Sequence, residues 1–345
     1  MAVGPEGMSR RGLLLGGLAV AAAATGVAGT SNAWGAEPDV IDCDAWGARP
    51  NSDVVPVWNQ RPVKILVHHT ATPNVTDLSR GAGERLARGI QNFHMDQRGW
   101  LDSGQHFTIS RGGYVLEGRH RSLEVLRIGE RQVEGAHCTG QNVVAVGIEN
   151  EGTYTAADPP AVLWNRLRDL CAYICQQYGI DPTEIFGHRD FKDTACPGDV
   201  LYGRLPQLRT EVAGVLGQHV SRRIAAKESW PLLRVADRGP AVLAAQHLLR
   251  EVGMTGVAAD GTFDRRTADA VRRFQTVHRT EEVNGMIGGE SWPLLVRPVR
   301  PGADGEAGRA VRALLASGAP ARPAESLVGA EDWRRLLSAP TSLAG

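Results

Sequence analysis

The run Val63-Lys64-Ile65-Leu66-Val67-His68-His69 constrains this chain more than any other feature. It is almost continuously apolar rather than alternating, so a strand made from it must be covered on both faces, as in a central strand of a helix-flanked sheet. It ends in two histidines. Successive side chains on a strand point to opposite faces, so only one of His68 and His69 can enter a given site. The neighbouring segments fit that setting. Leu86, Ile90 and Phe93 mark one face of a helix that stops near Gly99, and residues 105–110 and 114–117 flank Gly112-Gly113 as a hairpin. Val144, Val146 and Ile148 alternate with Gly147, Glu149 and Glu151 on a further strand. Asp158 is expected to cap a helix opened by Pro159 and Pro160, striped by Leu163, Leu167, Leu170 and Ile174, and ended by Gly179. The predicted fold is α/β, a mixed central β-sheet flanked by helices, over residues 39–216.

From Trp230 the text turns helical and repetitive, with 217–229 as the expected linker. Trp230-Pro231-Leu232-Leu233 is echoed by Trp292-Pro293-Leu294-Leu295 and again by Trp333-Arg334-Arg335-Leu336-Leu337. Residues 230–296 are predicted to form a small all-α three-helix domain, and 297–345 a degenerate partial repeat that lacks the middle helix. At the other end, Ser9-Arg10-Arg11 precedes a Gly/Ala-rich apolar run from Leu13 to Gly29, too short and weakly hydrophobic for a membrane span. With small residues at Ser31-Asn32-Ala33, residues 1–33 are predicted to be a twin-arginine-type signal peptide, leaving an exported protein with no stable membrane insertion.

The 345 residues carry 38 basic and 38 acidic side chains, a balance that excludes the basic surface of a nucleic-acid binder. Cys43, Cys138, Cys171, Cys175 and Cys196 are too few for a small disulfide scaffold. Four of them allow two disulfides after export. Cys171 and Cys175 lie a turn apart on one helix, so each is expected to pair with Cys43 or Cys138; the plainer alternative is four small buried hydrophobes.

The chemistry gathers on few pieces. His188 and Cys196 share the loop Gly187-His188-Arg189-Asp190-Phe191-Lys192-Asp193-Thr194-Ala195-Cys196-Pro197, and a strand delivers one of His68 and His69. Two imidazoles and a thiolate suit a tetrahedral zinc with one open place, the arrangement of a catalytic rather than a structural site.

Taken with Trp46-Gly47-Ala48-Arg49, Val67-His68-His69-Thr70-Ala71, Trp100-Leu101-Asp102-Ser103-Gly104-Gln105-His106-Phe107, Gly135-Ala136-His137 and Gly147-Ile148-Glu149, this loop resembles the successive motifs of the zinc N-acetylmuramoyl-L-alanine amidases. That family includes the peptidoglycan recognition proteins and the phage lysozyme-type amidases, and the resemblance spans about Asp42 to Leu208. It implies hydrolysis of the amide between N-acetylmuramic acid and L-alanine in bacterial peptidoglycan by a zinc-activated water. By position it makes His68, His188 and Cys196 the ligands of one zinc per chain and puts Thr194 beside the reacting carbonyl. Many relatives carry a tyrosine where this chain has Gln105, and a glutamine amide cannot relay a proton. Other relatives place a glutamate in Gly-Ile-Glu, so the resemblance makes Glu149 the general base, with Glu151 the runner-up, while His137 and Gln105 are expected to contact substrate. The segments Arg238-Gly239-Pro240, Asp260-Gly261-Thr262-Phe263-Asp264, Phe274-Gln275 and Gly285-Met286-Ile287-Gly288 resemble a peptidoglycan-binding module. The implied protein is a secreted, wall-associated monomer whose catalysis on small muropeptides survives removal of everything after about Ser221. A non-catalytic peptidoglycan sensor, and a cysteine peptidase with Cys196 as nucleophile, are the alternatives.

Overall fold

Ile65, Leu66 and Val67 are wholly buried because their strand runs through the interior of a six-stranded sheet. The computed structural model describes residues 36–221, 225–300, 302–319 and 327–338; the expected signal peptide lies outside the described residues. The strands are β1 (Val40–Ile41), β2 (Val57–Trp58), β3 (Lys64–His69), β4 (Phe107–Ile109), β5 (Val115–Glu117), β6 (Gln132–Val133), β7 (Ala145–Asn150) and β8 (Ile185–Gly187). The sheet order is β1-β5-β4-β7-β3-β8, with β3 parallel to both β7 and β8 and β4 antiparallel to β5; β2 and β6 form a separate ribbon. In the β3/β7 register His68 stands opposite Glu149. The fold is the expected mixed α/β sheet with flanking helices.

Helices α1 (Cys43–Trp46), α2 (Arg80–Asn92), α3 (Ser122–Ile128), α4 (Ala161–Tyr178), α5 (Asp199–Gly203) and α6 (Leu205–Val215) accompany the sheet. Leu163, Leu167, Leu170 and Ile174 of α4 are wholly buried, and Gly179 ends the helix at φ 72°. Its start differs from expectation. Pro160 occupies the cap position without a side-chain bond, and Asp158 instead pairs with Arg204 at 3.2 Å. A second difference concerns α2, whose core face is Gly83, Ala87 and Gln91, while Leu86, Ile90 and Phe93 line an open groove. Small residues let this helix approach the sheet closely: a Cβ on Gly83 would sit 3.1 Å from Ser110.

The expected disulfides are absent, and all five cysteines are free. Cys43, Cys138 and the pair Cys171 and Cys175 lie in three different apolar clusters, so these four are small buried hydrophobes.

The C-terminal region is helical: α7 (Pro240–Glu251), α8 (Arg265–His278), α9 (Ser291–Leu295), α10 (Glu306–Ala316) and α11 (Ala330–Ser338). Asp264 caps α8 by accepting from the Thr267 N–H at 2.7 Å, and Pro240 opens α7, as the sequence indicates. These helices build a core of their own around Trp292, Trp333, Phe263 and Phe274, separate from the sheet core. No helix among the described residues is long and apolar enough to cross a membrane.

Candidate metal centre

Strand β3 and the loop after β8 bring His68, His188 and Cys196 together, their ligand-type atoms all within 4.8 Å of one another. Neighbouring donors around a tetrahedral zinc lie about 3.3–3.6 Å apart, given bond lengths of about 2.0–2.3 Å. His68 Nδ1 is 3.7 Å from Cys196 Sγ, so this pair needs only a small contraction to meet that geometry. The other histidine of the pair faces away: His69 Nδ1 accepts from the Tyr154 N–H, while its backbone N–H donates to Cys196 Sγ at 3.3 Å.

A chain of hydrogen bonds fixes which nitrogen of His68 is free. The Ala145 carbonyl can only accept, so His137 Nε2 donates to it at 3.3 Å. Neutral His137 therefore presents a lone pair at Nδ1, and His68 donates to it from Nε2 at 3.1 Å. The remaining lone pair of His68, on Nδ1, is the one facing Cys196. Metal-ligating histidines have this arrangement, with the second ring nitrogen donating to a partner that locks tautomer and orientation. The glycine of Gly147-Ile148-Glu149 makes room for it, because a Cβ there would lie 2.5 Å from the His137 ring.

The pocket disfavours charge. Burial lowers the pKa of His68 and takes His188 down to about 4, so both imidazoles are neutral and able to coordinate. Burial also pushes the Cys196 thiol up, aided by the Glu149 carboxylate, which is the reverse of an activated cysteine nucleophile. Glu149 is itself pushed up to about 8 by burial. Its Oε1 lies 4.0 Å from His68 Nδ1, and its buried Oε2 has no hydrogen-bond partner among the described residues. A cation among these groups would satisfy the carboxylate and stabilise the thiolate together. The donor set fits zinc.

Other expected site residues fall in different places. Thr194 lines a cleft beside the cluster with Trp100, His137 and His188, and its Oγ1 accepts from the Cys196 N–H. Glu151 turns away, bonding the Arg111 N–H at 2.7 Å. Gln105 is only 2% exposed and donates to Thr108. His137 borders the cleft, with Nδ1 bonded to His68 and Nε2 to the Ala145 carbonyl. Asp102, in the same motif as Gln105, is a buried anchor that accepts from Gln91, the Ser103 N–H and both the backbone and ring of His120.

The sequence reading missed the groove of Leu86, Ile90 and Phe93, which also reaches Thr70, Thr72 and Glu149. The signal was present in the small residues on the opposite side of α2.

Known proteins share both regions. A family profile described as N-acetylmuramoyl-L-alanine amidase matches residues 58–199, and one for a peptidoglycan binding domain matches residues 238–295. Peptidoglycan recognition protein 1 of Bos indicus is 32% identical over 145 residues, which cover 41% of this chain and 70% of that protein. The chain belongs to the N-acetylmuramoyl-L-alanine amidase and peptidoglycan recognition protein family. Within the family, the human N-acetylmuramoyl-L-alanine amidase is 34% identical over 166 residues, 46% of this chain. The chain spans only 27% of that relative's length. Among solved structures, Drosophila PGRP-LB is similar at 29% identity over 48% of this chain and 92% of that one, with a TM-score of 0.43.

Proposed function

We propose that this chain is a zinc-dependent N-acetylmuramoyl-L-alanine amidase, which cleaves the amide joining N-acetylmuramic acid to the L-alanine of the peptidoglycan stem peptide. The observation that carries the reading is the convergence of two neutral imidazoles and a thiol beside the Glu149 carboxylate, one oxygen of which has no hydrogen-bond partner among the described residues. His68, His188 and Cys196 would hold one zinc. Bound there, zinc supplies Lewis acidity toward a carbonyl and brings water close to ionisation at neutral pH.

The protein's own groups do the rest. Glu149, whose Oε1 lies 4.0 Å from His68 Nδ1, takes the proton of the attacking water and returns it to the leaving amine. Thr194 Oγ1 accepts from a backbone N–H, which leaves its own O–H to donate to the carbonyl oxygen as charge develops there. His137 holds the His68 ring in its coordinating tautomer. The groove of Leu86, Ile90 and Phe93 leads up to Glu149 and offers the apolar surface for one limb of the substrate. The tail binds the same polymer, so the enzyme works outside the cell on the wall, exported by the twin-arginine signal expected in residues 1–33. Every proposed ligand comes from one chain, so a monomer suffices.

Digestion of purified sacculi followed by mass spectrometry tests the reading. It expects stem peptides with a free L-alanine amine and glycan freed of peptide, lost on chelation and restored by added zinc. Unaltered muropeptides would leave the sensor reading. Cleavage within the stem peptide that alkylation blocks in metal-free protein would establish the cysteine peptidase instead.

A further inference from the structure

The loop that carries His188, Thr194 and Cys196 is gripped by the C-terminal region. Asp193, between Lys192 and Thr194, is wholly buried, and among the described residues its carboxylate bonds only to groups beyond residue 274. Oδ1 accepts from the N–H groups of Gly288 at 2.6 Å and Ser291 at 3.0 Å, while Oδ2 accepts from the Ser291 hydroxyl and from Gln275 Nε2 at 3.0 Å. The Asp193 carbonyl accepts a further bond from the Asn284 amide. Ion pairs flank this latch, with Lys192 Nζ 2.7 Å from Glu281 and 3.4 Å from Glu290. Glu281 also accepts from Thr139, on the far side of the cleft that holds His188 and Thr194.

The two backbones touch as well. Gly289 donates its N–H to the Arg189 carbonyl, and a Cβ at Gly289 would lie 2.2 Å from the Asp190 carbonyl oxygen. Only glycine fits between these two stretches of chain. The seam is polar and joins two separate apolar cores, so hydrophobic burial does not explain it. A wholly buried carboxylate costs several kcal/mol unless it is bonded throughout, and here the tail supplies the bonds.

We infer that the C-terminal region is a working part of the metal site: Gln275, Ser291 and Gly289 are positioning residues that hold the 188–196 loop, and Glu281 builds one wall of the cleft. The tail is thus more than a tethered wall anchor. Cutting the chain near Ser221 would leave Asp193 without its partners, so catalysis on small soluble muropeptides would fall too, contrary to the modular expectation.

The inference rests on the amidase reading for its kinetic readout alone. In the full-length chain, Gly289→Ala and Ser291→Ala are expected to weaken zinc binding about 10-fold or more, the scale of lost outer-shell support. Hydrogen exchange in residues 188–196 should speed up by a similar factor. On a soluble muropeptide kcat should fall while KM holds within about 2-fold, because the loop carries chemistry rather than substrate grip. Asp193→Ala combined with Ser291→Ala should be no worse than either alone, since both break one latch. Should Gly289→Ala unfold the tail, Asp193→Asn gives the same readouts with the tail sequence intact. Wild-type zinc affinity, loop exchange and kcat in these variants would overturn the inference. A chain with no amidase activity whose zinc affinity and loop exchange still respond would overturn the amidase reading and keep the latch.

Discussion

Replacing His137 by alanine separates two roles that the sequence alone does not distinguish. His68 is 1% exposed, and its Nε2–H has His137 as its hydrogen-bond partner. Deleting that acceptor leaves a buried donor unsatisfied, at a cost of about 1–3 kcal/mol. The penalty falls on the tautomer that presents Nδ1 to the metal, so it appears in zinc affinity; at about 1.4 kcal/mol per decade it amounts to roughly 5- to 150-fold. That range brackets the roughly 10- to 100-fold typical of lost outer-shell partners. Water admitted to the vacated space would bring the effect toward the lower figure. The assay is competition with a chromophoric chelator, paired with kcat and KM on a soluble muropeptide at saturating zinc. The expected result is weakened zinc binding with KM nearly unchanged. Unaltered zinc affinity with a raised KM would refute the tautomer argument and return His137 to the substrate.

Further outcomes are specific. Glu149→Gln should keep zinc and fold while lowering turnover by roughly 100-fold or more, the scale of a lost general base, whereas Glu151→Gln should change turnover little. If the two results are exchanged, the carboxylates have been misassigned. Cys196→Ser and His188→Ala should each lose stoichiometric zinc in elemental analysis, because two protein donors are too few to hold the ion. His120→Gln tests the Asp102 anchor through pH. The bond to Asp102 raises the His120 pKa, so its contribution to stability is complete below about 6.5 and fades as pH climbs through the raised value. Asp102 adds the opposite limb: burial pushes its pKa up, but bonds from His120 and Gln91 bring it below the usual carboxylate value, so its contribution is lost only in acid. Urea unfolding should therefore find a larger deficit in His120→Gln at about pH 5.5 than at about pH 8.5; an equal deficit at both would count against the pair.

Much of the site was legible because its chemistry is local to short segments. The strand argument, that one of two adjacent histidines must face away, holds in the opposite environments of His68 and His69. The loop from His188 to Cys196 carries its own spacing. What the text concealed were relations between distant segments. Nothing in Gly135-Ala136-His137 says that the His137 ring will press against Gly147 and take the Nε2–H of His68. Gln105 stands where many relatives carry a tyrosine, yet it is buried and donates to Thr108, and burial is not written in a motif. The apolar stripe on α2 obeyed helical periodicity but faced the groove, because periodicity gives a stripe and leaves open what it faces.

The repeat in the tail explains how the shortened second unit still folds. In the first unit Leu233 bridges Ile287, and the Trp292 indole donates to the Pro231 carbonyl, 61 residues away; in the second Val299 bridges Val328, and Trp333 donates to the Arg297 carbonyl, 36 residues away. Helices α7 and α10 begin at the same distance after their bridges, so the shortening falls where α8 stands in the first unit. The two short helices of the second unit's described residues cannot enclose a core of their own. They need not, because α10 packs directly on α7: Ala307, Val311 and Leu314 share one cluster with Val242, Ala245 and Leu249, and Glu306 pairs with His247 and Arg250. The second unit is an extension of the first core. Its last helix then turns back, Arg335 pairing with Glu228 and Arg334 stacking on Trp230. Those contacts pin the segment that leads from the catalytic region into the tail. The partial repeat therefore serves the placement of the module, and through the Asp193 latch the placement of the metal loop, without needing a binding groove of its own.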